Sequence, residues 1–218
     1  MAMSQSHTTR ARREQGFSLL ETVIALFVLA VGLTALAALM SRMHVGSTSA
    51  RYMSMAAFLA SEKLEDLSRY QTCDPNIVVP TSAGTTAGSL TADITAVNVT
   101  TPCTSAISLV VSYSDQVWLS AGNGNISETT SSLDGSGHLQ YTTYQQTPQG
   151  VPNSSTSTTA PTPSSDTLVF SRRWMIEKDT PVVGVNRITV LVTLVDPAPI
   201  QNVSFQMSMV RQYQSTLQ

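Results

Sequence analysis

Asp134, Ser136 and His138 lie close together in "DGSGHL", and acid, hydroxyl and imidazole are the groups of a nucleophilic hydrolase. Such a set works only when packed neighbours hold the imidazole against both partners. A glycine-rich stretch is the wrong support, so catalysis is not expected there. Of the other histidines, His7 sits near the amino end and His44 in a helical pattern. No Gly-x-Ser-x-Gly elbow, phosphate loop, zinc spacing or calcium loop occurs, and no catalytic residue, metal or cofactor is expected. Trp118 and Trp174 read as packing residues rather than a ligand platform. The sequons at Asn98, Asn125, Asn153 and Asn202 are near chance in a chain this rich in Ser and Thr.

Two cysteines could do redox chemistry, Cys73 and Cys103. If the region around them is exported, a disulfide is the natural reading; two unrelated buried thiols is a second, and a metal pair, which lacks any nearby His or further Cys, a third. Closing that loop would stabilise by about 3.5 kcal/mol in the chain-entropy model. Charge is sparse, 12% of 218 residues, and unevenly placed. Between Arg69 and Arg172 there is no Lys or Arg, while Asp74, Asp93, Asp115, Glu128, Asp134 and Asp166 fall in the gap. Phosphate backbones need clustered cations, so nucleic acid is not an expected partner. The length suits one domain, or one domain with an appendage.

One acid stands out by its surroundings. In "QGFSLLETVIALFVLAVGL" (15–33), Glu21 interrupts a run from Phe17 to Met40 otherwise broken only by Ser18, Thr22, Gly32 and Thr34. As a helix this run would span about 36 Å, against a hydrocarbon core of about 30 Å. Arg10, Arg12 and Arg13 precede it and place the leader in the cytoplasm and the chain after Met40 outside. A cleaved signal peptide, with Ala35-Leu36-Ala37 as the cleavage region, is one reading. An uncleaved anchor is another. Neither explains a carboxylate whose insertion costs about 2.5–3.5 kcal/mol at a helix centre and less near its end.

Gly16-Phe17-Ser18-Leu19-Leu20-Glu21, after a basic leader and before an apolar helix, resembles the prepilin signature of type IV pilins and pseudopilins. The resemblance implies that a prepilin peptidase cuts between Gly16 and Phe17 and that the new amino group of Phe17 is methylated. It also implies that Glu21 pairs with the amino terminus of a neighbouring subunit. The carboxylate would then be costly alone and satisfied on assembly, a register device.

Beyond Met40, Met53, Ala56, Ala57, Ala60, Leu64 and Leu67 recur at helical spacing. One helix is therefore expected from about 17 to about 70, ending before Asp74-Pro75. Gly32 and Gly46-Ser47 are candidate points for a bend. Many major pilins have a proline in the apolar half; this chain has none there. Strands are expected at 90–99 and 107–113, with 117–119 as a candidate extension of the second, and at 168–179, 185–196 and 202–213, the last three joined by turns at Pro181–Gly184 and Pro197–Pro199. Val203, Phe205, Met207 and Met209 alternate with Ser204, Gln206 and Ser208, which gives a sheet one apolar face to pack on the helix. Residues 120–166 are expected as a flexible Ser/Thr/Pro-rich loop; nine of the residues 151–166 are Ser or Thr and three are Pro.

The expected fold class is α+β, a long amino-terminal helix packed on an antiparallel carboxy-terminal sheet, the pilin fold. Its parts are a leader (1–16), a transmembrane and assembly helix (17–40), its amphipathic continuation (41–70) and a periplasmic head (71–218). "RRWMIEKDTPVVGVNRITVLVTLVD" (172–196) resembles the hairpin of PilV-type minor pilins, which have an Arg-x-Trp strand, an Asp-Thr-Pro turn and Ile-x-Val-x-Val. The resemblance implies a non-enzymatic minor pilin of a bacterial type IV pilus that primes or modifies assembly near the tip. Its partners would be the prepilin peptidase, other major and minor pilins and, before assembly, the inner membrane. A minor pseudopilin of type II secretion and a tip adhesin or ligand-binding module are the alternatives.

Overall fold

A computed structural model describes residues 18–71, 73–95, 97–100, 108–120, 124–150, 152–196 and 202–212. The chain divides between Ser47 and Thr48 into two units. A single helix, α1 (Leu19–Arg69), runs through both and is unbroken at Gly32 and Gly46. Proline is absent from it, and Leu, Ala and Met dominate, so propensity favours the helix throughout. Glu21 lies in its first turn and Arg69 in its last, the placement that suits the helix dipole. Polar side chains in the apolar part satisfy themselves: the Thr22 hydroxyl donates to the Ser18 and Leu19 carbonyls and Thr34 to Val31.

In the second unit α1 buries Ala56, Leu59, Ala60, Lys63, Leu64 and Leu67, an i, i+3, i+4, i+7 stripe. Burying each leucine contributes about 1.5–3 kcal/mol. The expected stripe shares four of these positions. Met53, expected on it, is exposed, while Leu59 and Lys63 take places on the inward face.

Among the described residues ten strands follow: β1 (Thr86–Gly88), β2 (Val97–Thr100), β3 (Ser108–Val111), β4 (Ser114–Ser120), β5 (Ile126–Leu133), β6 (Leu139–Gln146), β7 (Pro152–Ser157), β8 (Thr167–Glu177), β9 (Val185–Asp196) and β10 (Ser204–Gln212). The main sheet has the order β10-β9-β8-β4-β5-β6-β7, every pairing antiparallel, with β1 also on β8. Strands β2 and β3 form a separate pair. The helix stripe packs with Phe170, Trp174, Ile176, Ile188, Val190 and Val192 in one core. The α+β class expected from the sequence is the class observed.

Two expectations are corrected. Residues 120–166 are not one loop: they carry β5, β6 and β7. None of these strands contributes a side chain to the hydrophobic core, so the apolar alternation that reveals a half-buried strand is missing. Thr and Tyr still favour extended backbone there, and the Thr129 and Thr143 hydroxyls meet across the β5–β6 pair at 3.0 Å. Second, 117–119 does not extend the 107–113 strand. The chain breaks at Ser112 and Tyr113, so that β3 pairs β2 while β4 joins the main sheet beside β8.

β1 and β4 share one side of β8, β1 opposite 175–177 and β4 opposite 167–173. Gly88 closes β1 with φ +79°, and a Cβ there would collide with the Trp174 carbonyl oxygen. Only glycine fits that close approach. In the β8–β9 hairpin the Thr180–Pro181 peptide is cis, and the Gly184 amide donates to the Asp179 carboxylate at 2.8 Å. The expected turn at Pro197–Pro199 lies outside the described residues.

Candidate functional site

In the first unit the site candidate is the helix surface. Leu20, Ile24, Phe27, Val28, Val31 and Leu36 are all exposed, and α1 is long and apolar enough here to cross a membrane. Glu21 is the sole ionisable side chain between Leu19 and Arg42, one turn into the helix and exposed. A carboxylate near a helix amino terminus is favoured by the unpaired amides and the dipole. In hydrocarbon it would still seek a cation. Gly16 and Phe17 lie outside the described residues, as do Cys103 and His7. Cys73 follows α1 in a turn where the Asp74 carboxylate accepts from the Asn76 amide at 2.9 Å.

The second unit holds a feature that sequence reasoning missed. Asp115 on β4 and Arg172 on β8 are register partners, and the guanidinium grips the carboxylate with bonds of 2.7 and 2.9 Å. From the helix, Lys63 Nζ reaches the same carboxylate at 3.0 Å and stands 4.4 Å from the centre of the Trp174 ring. Glu128 on β5 meets Arg172 at 2.8 Å and Lys63 at 3.4 Å, Glu62 stands 3.6 Å from Arg172, and Asp66 stands 3.8 Å from Lys63. Burial alone would raise the Asp115 carboxyl; Lys63 and Arg172 more than reverse this and hold it at about 2. Burial would likewise lower Lys63, but Asp115 leaves it raised above its ordinary value. Glu62 is raised, because its partial burial outweighs the attraction of Arg172.

The network joins helix to sheet, and Glu62, Lys63, Glu128 and Arg172 also line an open pocket of about 260 Å³. The signals for it were present: Lys63 falls on the apolar stripe, and Arg172 alternates with Phe170, Trp174 and Ile176.

The Asp134, Ser136 and His138 group forms a turn instead of a triad. The Asp134 carboxylate accepts from the backbone amides of Ser136 and His138, each at 2.8 Å, which lowers its pKa. The His138 ring stands 3.4 Å from it in solvent. Trp174 is core, as expected, whereas Trp118 lies half-buried on the opposite face of the sheet. His44 lies on α1. No metal-binding group of His, Cys, Asp and Glu occurs among the described residues.

The amino-terminal pattern of leader, acid and apolar helix is the part of the chain with a counterpart among known families. Residues 11–37 match the family model of the prokaryotic N-terminal methylation motif. The match supports a type IV pilin-like or pseudopilin protein. This prepilin-type motif implies processing by a prepilin peptidase, assembly with other pilins and a structural role, and the apolar helix is consistent with membrane anchoring. The match ends at Ala37 and does not extend to the β-sheet unit. No curated protein and no solved structure matches the chain.

Proposed function

We propose that the protein is a minor pilin of a bacterial type IV pilus. The precursor sits in the inner membrane with its leader in the cytoplasm and its head in the periplasm. Prepilin peptidase cuts between Gly16 and Phe17 and methylates Phe17. The apolar part of α1 then leaves lipid for a filament of major and minor pilins, where Glu21 meets the amino group of a neighbouring subunit. The observation that carries this reading is the motif match over 11–37, joined to an acid in the first turn of an exposed apolar helix.

The minor, pilus-modifying role is supported by the likeness of the 172–196 hairpin to PilV-type proteins. Its Arg172 shares the Asp115 carboxylate with Lys63 of α1, and its Trp174 ring lies beneath the Lys63 ammonium, which gives the Arg-x-Trp pattern a physical task. Export would bring Cys73 and Cys103 to an oxidising compartment, where we take them to be paired.

Mass spectrometry of the mature amino terminus tests the reading, with N-methyl-Phe17 as the expected first residue. Glu21→Ala should leave the membrane pool intact and empty the sheared filaments of this subunit. A mature chain that starts after Ala37 overturns it.

A further inference from the structure

We propose that the outer face of the β4–β7 sheet carries a binding cleft for neutral carbohydrate. This goes beyond the filament role and does not depend on it. Trp118, Ser127, Gln145 and Asn153 are successive register partners across β4, β5, β6 and β7, so they form one row on one face. That face is opposite to the one holding Asp115, Val117 and Phe170 against the helix, because neighbours along a strand alternate.

The row would be an open surface but for the topology. The chain leaves the sheet at edge strand β7 and must return to β8, past β6, β5 and β4. The returning segment passes over this face, and Thr162, Pro163 and Ser164 roof a cleft of about 370 Å³ above the row. The roof is pinned at its far end, where the Ser164 hydroxyl meets the Asp166 carboxylate and the Thr167 hydroxyl at 2.6 Å each. That volume lies within the range of small-ligand sites, about 300–1,000 Å³.

The lining decides the ligand class. It contains one aromatic ring, one proline, amides and hydroxyls, with no charged side chain and no aliphatic one. An anionic ligand would find no cation, and an apolar ligand would cut the Gln145 and Asn153 side-chain amides off from water. A sugar matches both halves. Its hydroxyls donate and accept, as do the amide and hydroxyl side chains, and its C–H face lies against an indole. The Trp118 ring is steered by its own N–H, which donates to the Gln116 side-chain carbonyl at 3.3 Å. Trp118, expected as a packing residue, is on this reading the platform.

The test uses the purified full chain in a detergent without a sugar headgroup. The probes are immobilised glycans ending in galactose, glucose, mannose or N-acetylhexosamine, with sialylated and sulfated glycans as charged controls. At least one neutral class should bind, and the free sugar should compete and shift Trp emission, since Trp174 is buried away from the cleft. Trp118→Ala should weaken binding at least about tenfold, the usual loss for an aromatic anchor. Asn153→Ala, on an exposed strand, should weaken binding at an unchanged melting temperature and decides the matter if Trp118→Ala does not fold. Binding of no glycan, of charged glycans only, or binding insensitive to these variants overturns the proposal.

Discussion

Asp115 and Arg172 stand directly opposite each other on antiparallel neighbours and share two hydrogen bonds of 2.7 and 2.9 Å, with the carboxylate side chain wholly buried. The pair faces the helix, and Lys63 comes from that helix to the same carboxylate. Two cations around one fully buried anion need further acids, and Glu128 and Glu62 supply them at the rim. Buried ion pairs contribute little net stability over apolar packing, but they penalise any arrangement that separates the partners. A one-residue slip of β4 on β8 would turn Asp115 to the other face and strand Arg172. The network therefore fixes register between strands and between helix and sheet.

Removal of one partner should be worse than removal of both. Arg172→Met leaves the Asp115 carboxylate with Lys63 alone and should destabilise by about 3–5 kcal/mol. Adding Asp115→Leu should restore a large part of that. Denaturant unfolding of the single and double variants checks this, and simple additivity would refute it.

Acid should weaken the head through Asp115. Its pKa is lowered from 3.8 to about 2, so its contribution is present above about pH 4 and lost as pH falls towards 2. The difference corresponds to about 2 kcal/mol. Glu62, raised by burial, binds its proton more readily when folded and opposes this loss on acidification. Lys63 acts at the other end: its raised pKa gives stability at neutral pH that is lost as pH climbs past its folded value above 10.5. The stability gap between the protein and Asp115→Asn, measured from about pH 6 to pH 2, should narrow as pH falls.

Gly88→Ala should destabilise by more than about 1 kcal/mol, through the positive φ and the collision with the Trp174 carbonyl. Gly46→Ala is the control: its Cβ would meet nothing within 4 Å, and in a helix Ala is the better residue. Thermal melting of the two should move in opposite directions.

Cys73 and Cys103 should both resist thiol labelling in the exported protein until reductant is added. Cys73→Ser should then lower stability by about 3.5 kcal/mol, the loop-closure value. Labelling without reductant would show that the thiols are free.

Much of the protein was legible from local pattern. The helix, the β8–β9 hairpin and the alternation of β10 are each announced by residues that repeat at the period of the element. The prepilin motif is likewise a run of adjacent residues, because a peptidase reads chain and not fold. Strands β5 to β7 were hidden, since polar strands outside the core leave no period of apolar residues to find. What tertiary structure alone decided is which distant polar groups meet. Lys63, Asp115 and Arg172 are scattered through the chain, and their pairing depends on strand register and on the rotation of a helix about its axis. The Trp118 row is the same case, for it exists only because four strands align and a connection must cross them. Apolar burial obeys local periodicity, whereas polar partnership obeys geometry that no single segment contains.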